Sequence, residues 1–125
     1  MALPKPSPVP TPDAEVLSKA VVRAADKLGV AQARLAQLLG VSAATVSRLC
    51  TGKYRLGRER KEWELALLFV RVFRSLDSIV GSETLARRWM ESDNRALQGR
   101  PIDLIRTTEG LVRVVQYLDA CRGLV

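Results

Sequence analysis

The stretch from Gln32 to Thr51, QARLAQLLGVSAATVSRLCT, constrains the fold of this chain more tightly than any other. Leu35, Leu39, Val41, Val46 and Leu49 are spaced to lie on the facing inner surfaces of two short helices. Ala36 is small where the second helix must cross closely. Gly40 stands where the first helix stops, and glycine accepts the positive φ that a tight turn demands. Ser42 follows as an N-cap whose hydroxyl can accept a backbone N–H of the next turn. The second helix then turns Ser42, Ala43, Ala44, Ser47 and Arg48 outward. An ordinary αα-hairpin accounts for the glycine turn. The full set of apolar positions with the small residue is the helix-turn-helix pattern, in which the second helix enters the DNA major groove.

That pattern assigns roles. A guanidinium can bond a guanine edge bidentately, so Arg48 is the first base-reading candidate. Ala43 and Ala44 are small enough to let the helix sit deep and touch thymine methyls. Ser42 and Ser47 are candidates for bases or phosphates, and Gln32 and Thr45 complete the DNA-facing set. In the glycine-bracketed loop Gly52–Arg58, Lys53, Arg55 and Arg58 are candidates for phosphate contacts that position the protein without reading sequence. The charge agrees. Residues 1–60 hold ten basic and four acidic residues, whereas 61–125 hold ten and nine, so most of the net +7 lies with the helix-turn-helix. Gln32, Ala36, Gly40, Val41, Val46 and Leu49 resemble the phage-repressor-like (Xre-type) helix-turn-helix.

The rest of the chain reads as helices. Residues 1–12 hold five of the six prolines and predict an extended or disordered tail. Asp13 to Leu28 predicts a helix capped by Asp13, with Val16, Leu17, Ala20, Val21, Ala24 and Leu28 inward and Lys19, Arg23 and Lys27 on one face. Arg58 to Val80 is the longest helical stretch and is apolar on more than one face. A helix on a single core needs one apolar stripe, so a second surface must cover it. The choice lies between a homodimer, through Trp63, Leu67, Phe69, Val70 and Phe73, and the other half of the same chain. Ser82 to Glu91 predicts a helix with Leu85, Ala86, Trp89 and Met90 inward, Pro101 opens a short turn or helix, and Thr107 or Thr108 caps a last helix ending at Gly123.

Composition excludes some functions. The chain has no histidine, no glycine-rich phosphate loop after a strand, and no nucleophile beside a base, so it is not expected to be an enzyme. Nor is a cofactor, a metal site or a small-molecule substrate expected. The longest apolar run, Leu65 to Val70, falls well short of the roughly 20 residues that span a bilayer. No apolar segment follows the first lysine as a secretory signal would. Cys50 and Cys121 are far apart, in no metal-like spacing, and fit a cytosolic chain with free thiols.

The C-terminal half carries a second resemblance. Gly81, Ala86, Trp89, Asn94, Leu97, Gly99, the box Pro101-Ile102-Asp103-Leu104-Ile105, then Gly110, Val114 and Leu118 resemble the toxin-binding domain of the Xre/MbcA/ParS antitoxins, partners of RES-domain toxins. The departure is Gln98, which separates Leu97 from Gly99 where the family pattern has a leucine–glycine pair. The resemblance implies an antitoxin of a type II system. Its toxin would degrade NAD or transfer ADP-ribose from it, and the antitoxin would cover the toxin's active site and repress its own operon. It points to Trp89, Asn94, Leu97, Gly99, Pro101 and Asp103 as toxin-binding residues, with Arg113, Gln116, Tyr117, Arg122 and Gly123 reaching the toxin's site. The expected architecture is all-α. A helix-turn-helix bundle (13–57) leads to a long linking and dimerisation helix (58–80) and a small toxin-binding domain (81–125). The alternative is a stand-alone Xre-family regulator whose C-terminal half only dimerises.

Overall fold

The computed structural model describes residues 12–123. The proline-rich tail read over 1–12 lies outside them except for Pro12, the first residue of helix α1 (Pro12–Leu28), so Asp13 sits inside the first turn instead of capping it. Six further helices follow: α2 (Gln32–Leu39), α3 (Ala43–Cys50), α4 (Lys61–Val80), α5 (Glu83–Glu91), α6 (Pro101–Leu104) and α7 (Thr108–Gly123). No strand occurs among the described residues, and the fold is all-α.

The turn between α2 and α3 forms as its residues require. Gly40 adopts φ 69°, and the N–H groups of Gly40 and Val41 close onto the carbonyls of Gln37 (3.3 Å) and Ala36 (3.1 Å). The Ser42 hydroxyl accepts the Thr45 N–H at 3.1 Å and caps α3. Leu35, Ala36, Leu39, Val46 and Leu49 are all buried between the helices.

Helix α4 is the centre of the molecule. It packs most extensively on α7 and next on α1, and also touches α2 and α5. Most of its apolar surface is thus covered within one subunit, which corrects the dimer reading for two of its residues. Phe69 is fully buried and Val70 nearly so, both in the core, and neither can meet a second copy. Trp63 and Phe73 are half-buried, under the Arg58 guanidinium (5.8 Å) and the Lys27 ammonium (5.8 Å) respectively. Only Leu67 of the five stands out, 48% exposed. Residues 58–60 form a turn before the helix, which begins at Lys61.

Three polar groups fix the loop after α3. Glu62 is buried, and its carboxylate accepts the Tyr54 hydroxyl (2.8 and 2.9 Å) and the Gly57 N–H (3.2 Å). Buried Ser18 accepts the Leu56 N–H at 3.0 Å. Burial and the neighbouring Glu62 push the Tyr54 hydroxyl's pKa up, so it stays a donor.

Gly110, at the start of α7, is required by a close approach. A Cβ there would lie 1.9 Å from the Leu104 carbonyl oxygen at the end of α6. The absent side chain is what lets α6 and α7 meet, while Thr107 caps α7 by accepting the Gly110 N–H (3.1 Å).

Candidate functional site

Two surfaces carry the residues singled out in the sequence. The first is the outer face of α3. Ala43, Ala44, Ser47 and Arg48 are exposed, and Gln32 is exposed at the start of α2. The Ser42 hydroxyl is engaged as a cap and also bonds the Thr45 hydroxyl at 2.9 Å, so these two side chains form one small polar knob. Arg48 and Lys53 make no side-chain ion pair or hydrogen bond among the described residues, which leaves both free to meet an anion. Arg55 and Arg58 differ. Arg55 pairs with Glu15 (3.6 Å) and Arg58 with Asp13 (3.5 Å), so α1 partly neutralises both.

Sequence reasoning missed a second pair of cations. Arg60 and Lys61, with Gly40, Val41, Ser42 and Thr45, line an open groove of about 550 Å³ beside the start of α3. They lie in the charged run Arg58–Lys61, which reads as the polar first turns of a long helix, and only the start of α4 at Lys61 brings them to the recognition helix.

The second surface is the C-terminal lobe, and here many motif residues hold the fold together. Asn94 and Gly99 exchange backbone hydrogen bonds (2.9 and 3.2 Å), and the Asn94 side chain accepts the Leu97 N–H at 3.0 Å, closing a tight loop. Leu97 and Pro101 are buried beneath it. Arg113 of α7 donates to the Leu97 carbonyl at 2.9 Å and pins the loop from behind. Asp103 accepts from Arg100 (2.8 Å) and from Arg34 of α2 (2.8 Å), and Arg34 also reaches the Ile102 carbonyl at 3.1 Å. Those two guanidiniums, Arg100 first, hold the Asp103 carboxyl below its usual range, and Asp103 raises Arg100 in turn. Arg122 turns back onto the buried Ser75 hydroxyl of α4 at 3.3 Å. Gln116 and Gly123 are exposed.

Trp89 and Tyr117 meet as a stacked pair, ring centroids 6.2 Å apart at 19°, both half-buried. Leu85, read as inward, is instead 48% exposed, and Val16 of α1 is likewise exposed. A second bridge joins the halves of the chain. The Arg87 guanidinium on α5 donates to the carbonyls of Asp26 (2.6 Å) and Lys27 (3.1 Å) at the end of α1.

No group of His, Cys, Asp and Glu among the described residues could hold a metal ion, both cysteines are free thiols, and no described helix is long and apolar enough to cross a membrane.

Known proteins sharpen this picture. Residues 13–71 match the antitoxin Xre-like helix-turn-helix domain, and residues 75–123 match the antitoxin Xre/MbcA/ParS C-terminal toxin-binding domain. A chain of the crystal structure of the M. tuberculosis MbcT-MbcA toxin-antitoxin complex is similar over most of its length. The TM-score is 0.63 at 27% identity, covering 84% of this chain and 92% of that one. A curated protein, 6-hydroxy-3-succinoylpyridine 3-monooxygenase HspA of Pseudomonas putida (strain DSM 28022 / S16), is 51% identical over 41 residues, which is 32% of this chain and 13% of that enzyme. So short a share of that protein does not carry its activity here.

Proposed function

The chain belongs to the Xre/MbcA/ParS-type antitoxins, which are not enzymes, and from that premise we propose that it neutralises a RES-domain, NAD-consuming toxin and represses its own operon. One observation carries the reading: two antitoxin matches lie end to end over 13–71 and 75–123, one a DNA-binding type of domain and the other a toxin-binding one. The RES and NAD parts rest on the motif resemblance of the C-terminal half. In this reading α7, with Arg113, Gln116, Tyr117, Arg122 and Gly123, lies over the toxin's nucleotide pocket and blocks it sterically. Trp89, Asn94, Leu97, Gly99, Pro101 and Asp103 shape the surface that presents α7.

The DNA half of the proposal is supported by the exposed outer face of α3 and the unpaired Arg48 and Lys53 beside it. Arg48 reads bases, Ala43 and Ala44 allow close approach, and Gln32, Ser42, Thr45, Ser47, Lys53 and Arg55 bond bases or phosphates. Arg60 and Lys61 add phosphate contacts from the groove at the start of α3. A homodimer on a symmetric operator would use the surface left on α4, Leu67 with the half-buried Trp63 and Phe73, and the pair would act in the bacterial cytoplasm.

The test is intracellular NAD in cells expressing the neighbouring gene alone, with this chain, and with a version cut after Val112. Collapse alone, recovery with the full chain and no recovery with the truncation are expected. Unchanged NAD and no ADP-ribosylation in any arm would remove the toxin half of the proposal and leave a stand-alone regulator.

A further inference from the structure

We propose that the toxin is anchored on an apolar stripe of the chain formed by Ile79, Leu85 and the Trp89–Tyr117 stack, and that the matching surface on the toxin is an apolar patch. This rests on the toxin reading above and narrows it. Four large apolar side chains are exposed among the described residues: Val16, Leu67, Ile79 and Leu85. Ile79 (42%) and Leu85 (48%) fall within 75–123, the segment matched as a toxin-binding domain. They lie on either side of the corner at Gly81 and Ser82 that joins α4 to α5.

The fold of α5 does not need an apolar side chain at Leu85. The helix is seated by buried Ala86 and Met90, and the Leu85 N–H is capped by the Ser82 hydroxyl at 3.4 Å. Leu85 and Trp89 are four residues apart and share a helix face. Trp89 in turn stacks on Tyr117, which carries the surface from α5 to α7, and Ile79 stands near the end of α4, just before the corner at Gly81. An exposed leucine continuous with a half-exposed tryptophan and tyrosine has the composition of an interface centre. Arg88, one turn beyond Leu85 and without an ion pair among the described residues, suits its polar rim. The charged motif residues nearby are engaged elsewhere: Asp103 with Arg34 and Arg100, Arg113 with Leu97, and Arg122 with Ser75. Leu85 and Ile79 have no such engagement and stand exposed to give affinity.

The experiment is calorimetric titration of the purified product of the neighbouring gene into the full chain and into Leu85→Glu and Ile79→Glu. A glutamate three residues after Ser82 completes a capping box, so Leu85→Glu preserves or strengthens α5 and its effect is not unfolding. Leu85→Glu should weaken toxin binding by about tenfold or more, and Ile79→Glu by less, with thermal midpoint and operator binding unchanged. Full-strength binding by Leu85→Glu would overturn the stripe and leave the toxin reading standing. Failure of the unsubstituted chain to bind would overturn the toxin reading, and the stripe with it.

Discussion

The outer face of α3 and the segment from Asn94 to Ile105 are both marked by motif residues, yet the structure uses them in opposite ways. On α3 the motif's inner residues are buried and its outer ones, Ala43, Ala44, Ser47 and Arg48, are left unengaged. In the C-terminal segment the motif's polar residues are spent on the fold: Asn94 closes a loop, and Asp103 bridges to α2. The difference follows from size. A helix-turn-helix is held by a few apolar contacts and one glycine turn, so its outer face is free. A four-residue helix such as α6 has too little surface to hold itself and needs side-chain braces. A motif residue on the first surface is therefore a candidate contact, and one on the second is first a brace.

The sharpest way to break this contrast is at Gly110. Gly110→Ala forces a methyl into the space of the Leu104 carbonyl, which is backbone and cannot rotate away. The α6–α7 junction must separate, at a cost of about 3 kcal/mol. Urea denaturation should show a markedly lower midpoint. A midpoint within error of the parent would mean that the close approach is not a constraint.

Arg48→Ala probes the free surface. Its side chain is exposed and makes no hydrogen bond or ion pair among the described residues, so stability should stay within about 0.5 kcal/mol. Operator binding should weaken by about 1–3 kcal/mol, with toxin binding unaffected. Equal loss of both activities would show that the two faces are not separable.

How much of this was legible follows the same division. The α2–α3 unit could be read almost residue by residue, because Gly40, Ser42 and the apolar spacing are local signals and the structure keeps each of them. The burial of Phe69 and Val70 was not legible, since an apolar helix face does not name the partner that covers it, and here α4 is packed among other helices of the same chain. Periodicity placed Leu85 and Val16 inward because it reports a helix face and not whether a neighbour reaches it. The engagement of Arg34 with Asp103 spans 69 positions and leaves no local trace.

Asp103→Asn tests the bridge between the regions. The Asp103 carboxyl titrates below its ordinary 3.8 because the charged form is bonded by Arg100 and Arg34. A depressed pKa stabilises the fold above the unfolded value and loses that contribution as pH falls through the folded one. The parent should therefore be more stable than Asp103→Asn at pH 7, and the gap should close in acid, below about pH 4. A gap that persists undiminished at pH 2 would show that the carboxylate charge is not the source.

The smallest effect belongs to Gln98. It is the one non-glycine residue among those described with a positive φ, 58°, and Gly99 beside it does not share that conformation. A leucine–glycine pair laid on this loop would put its glycine at position 98, where the left-handed backbone occurs. Gln98 thus holds a left-handed position that glycine would take at less cost, in a loop held shut by the Asn94–Gly99 bonds and the Arg113 bridge. The left-handed region costs a residue with a Cβ about 1–2 kcal/mol, and glycine's greater unfolded freedom returns part of that. Gln98→Gly should raise stability by roughly 0.5–1 kcal/mol in urea denaturation, without touching operator binding. A loss of stability instead would mean that the Gln98 side chain contributes to the loop, and that the departure from the family pattern is compensated by a contact of its own.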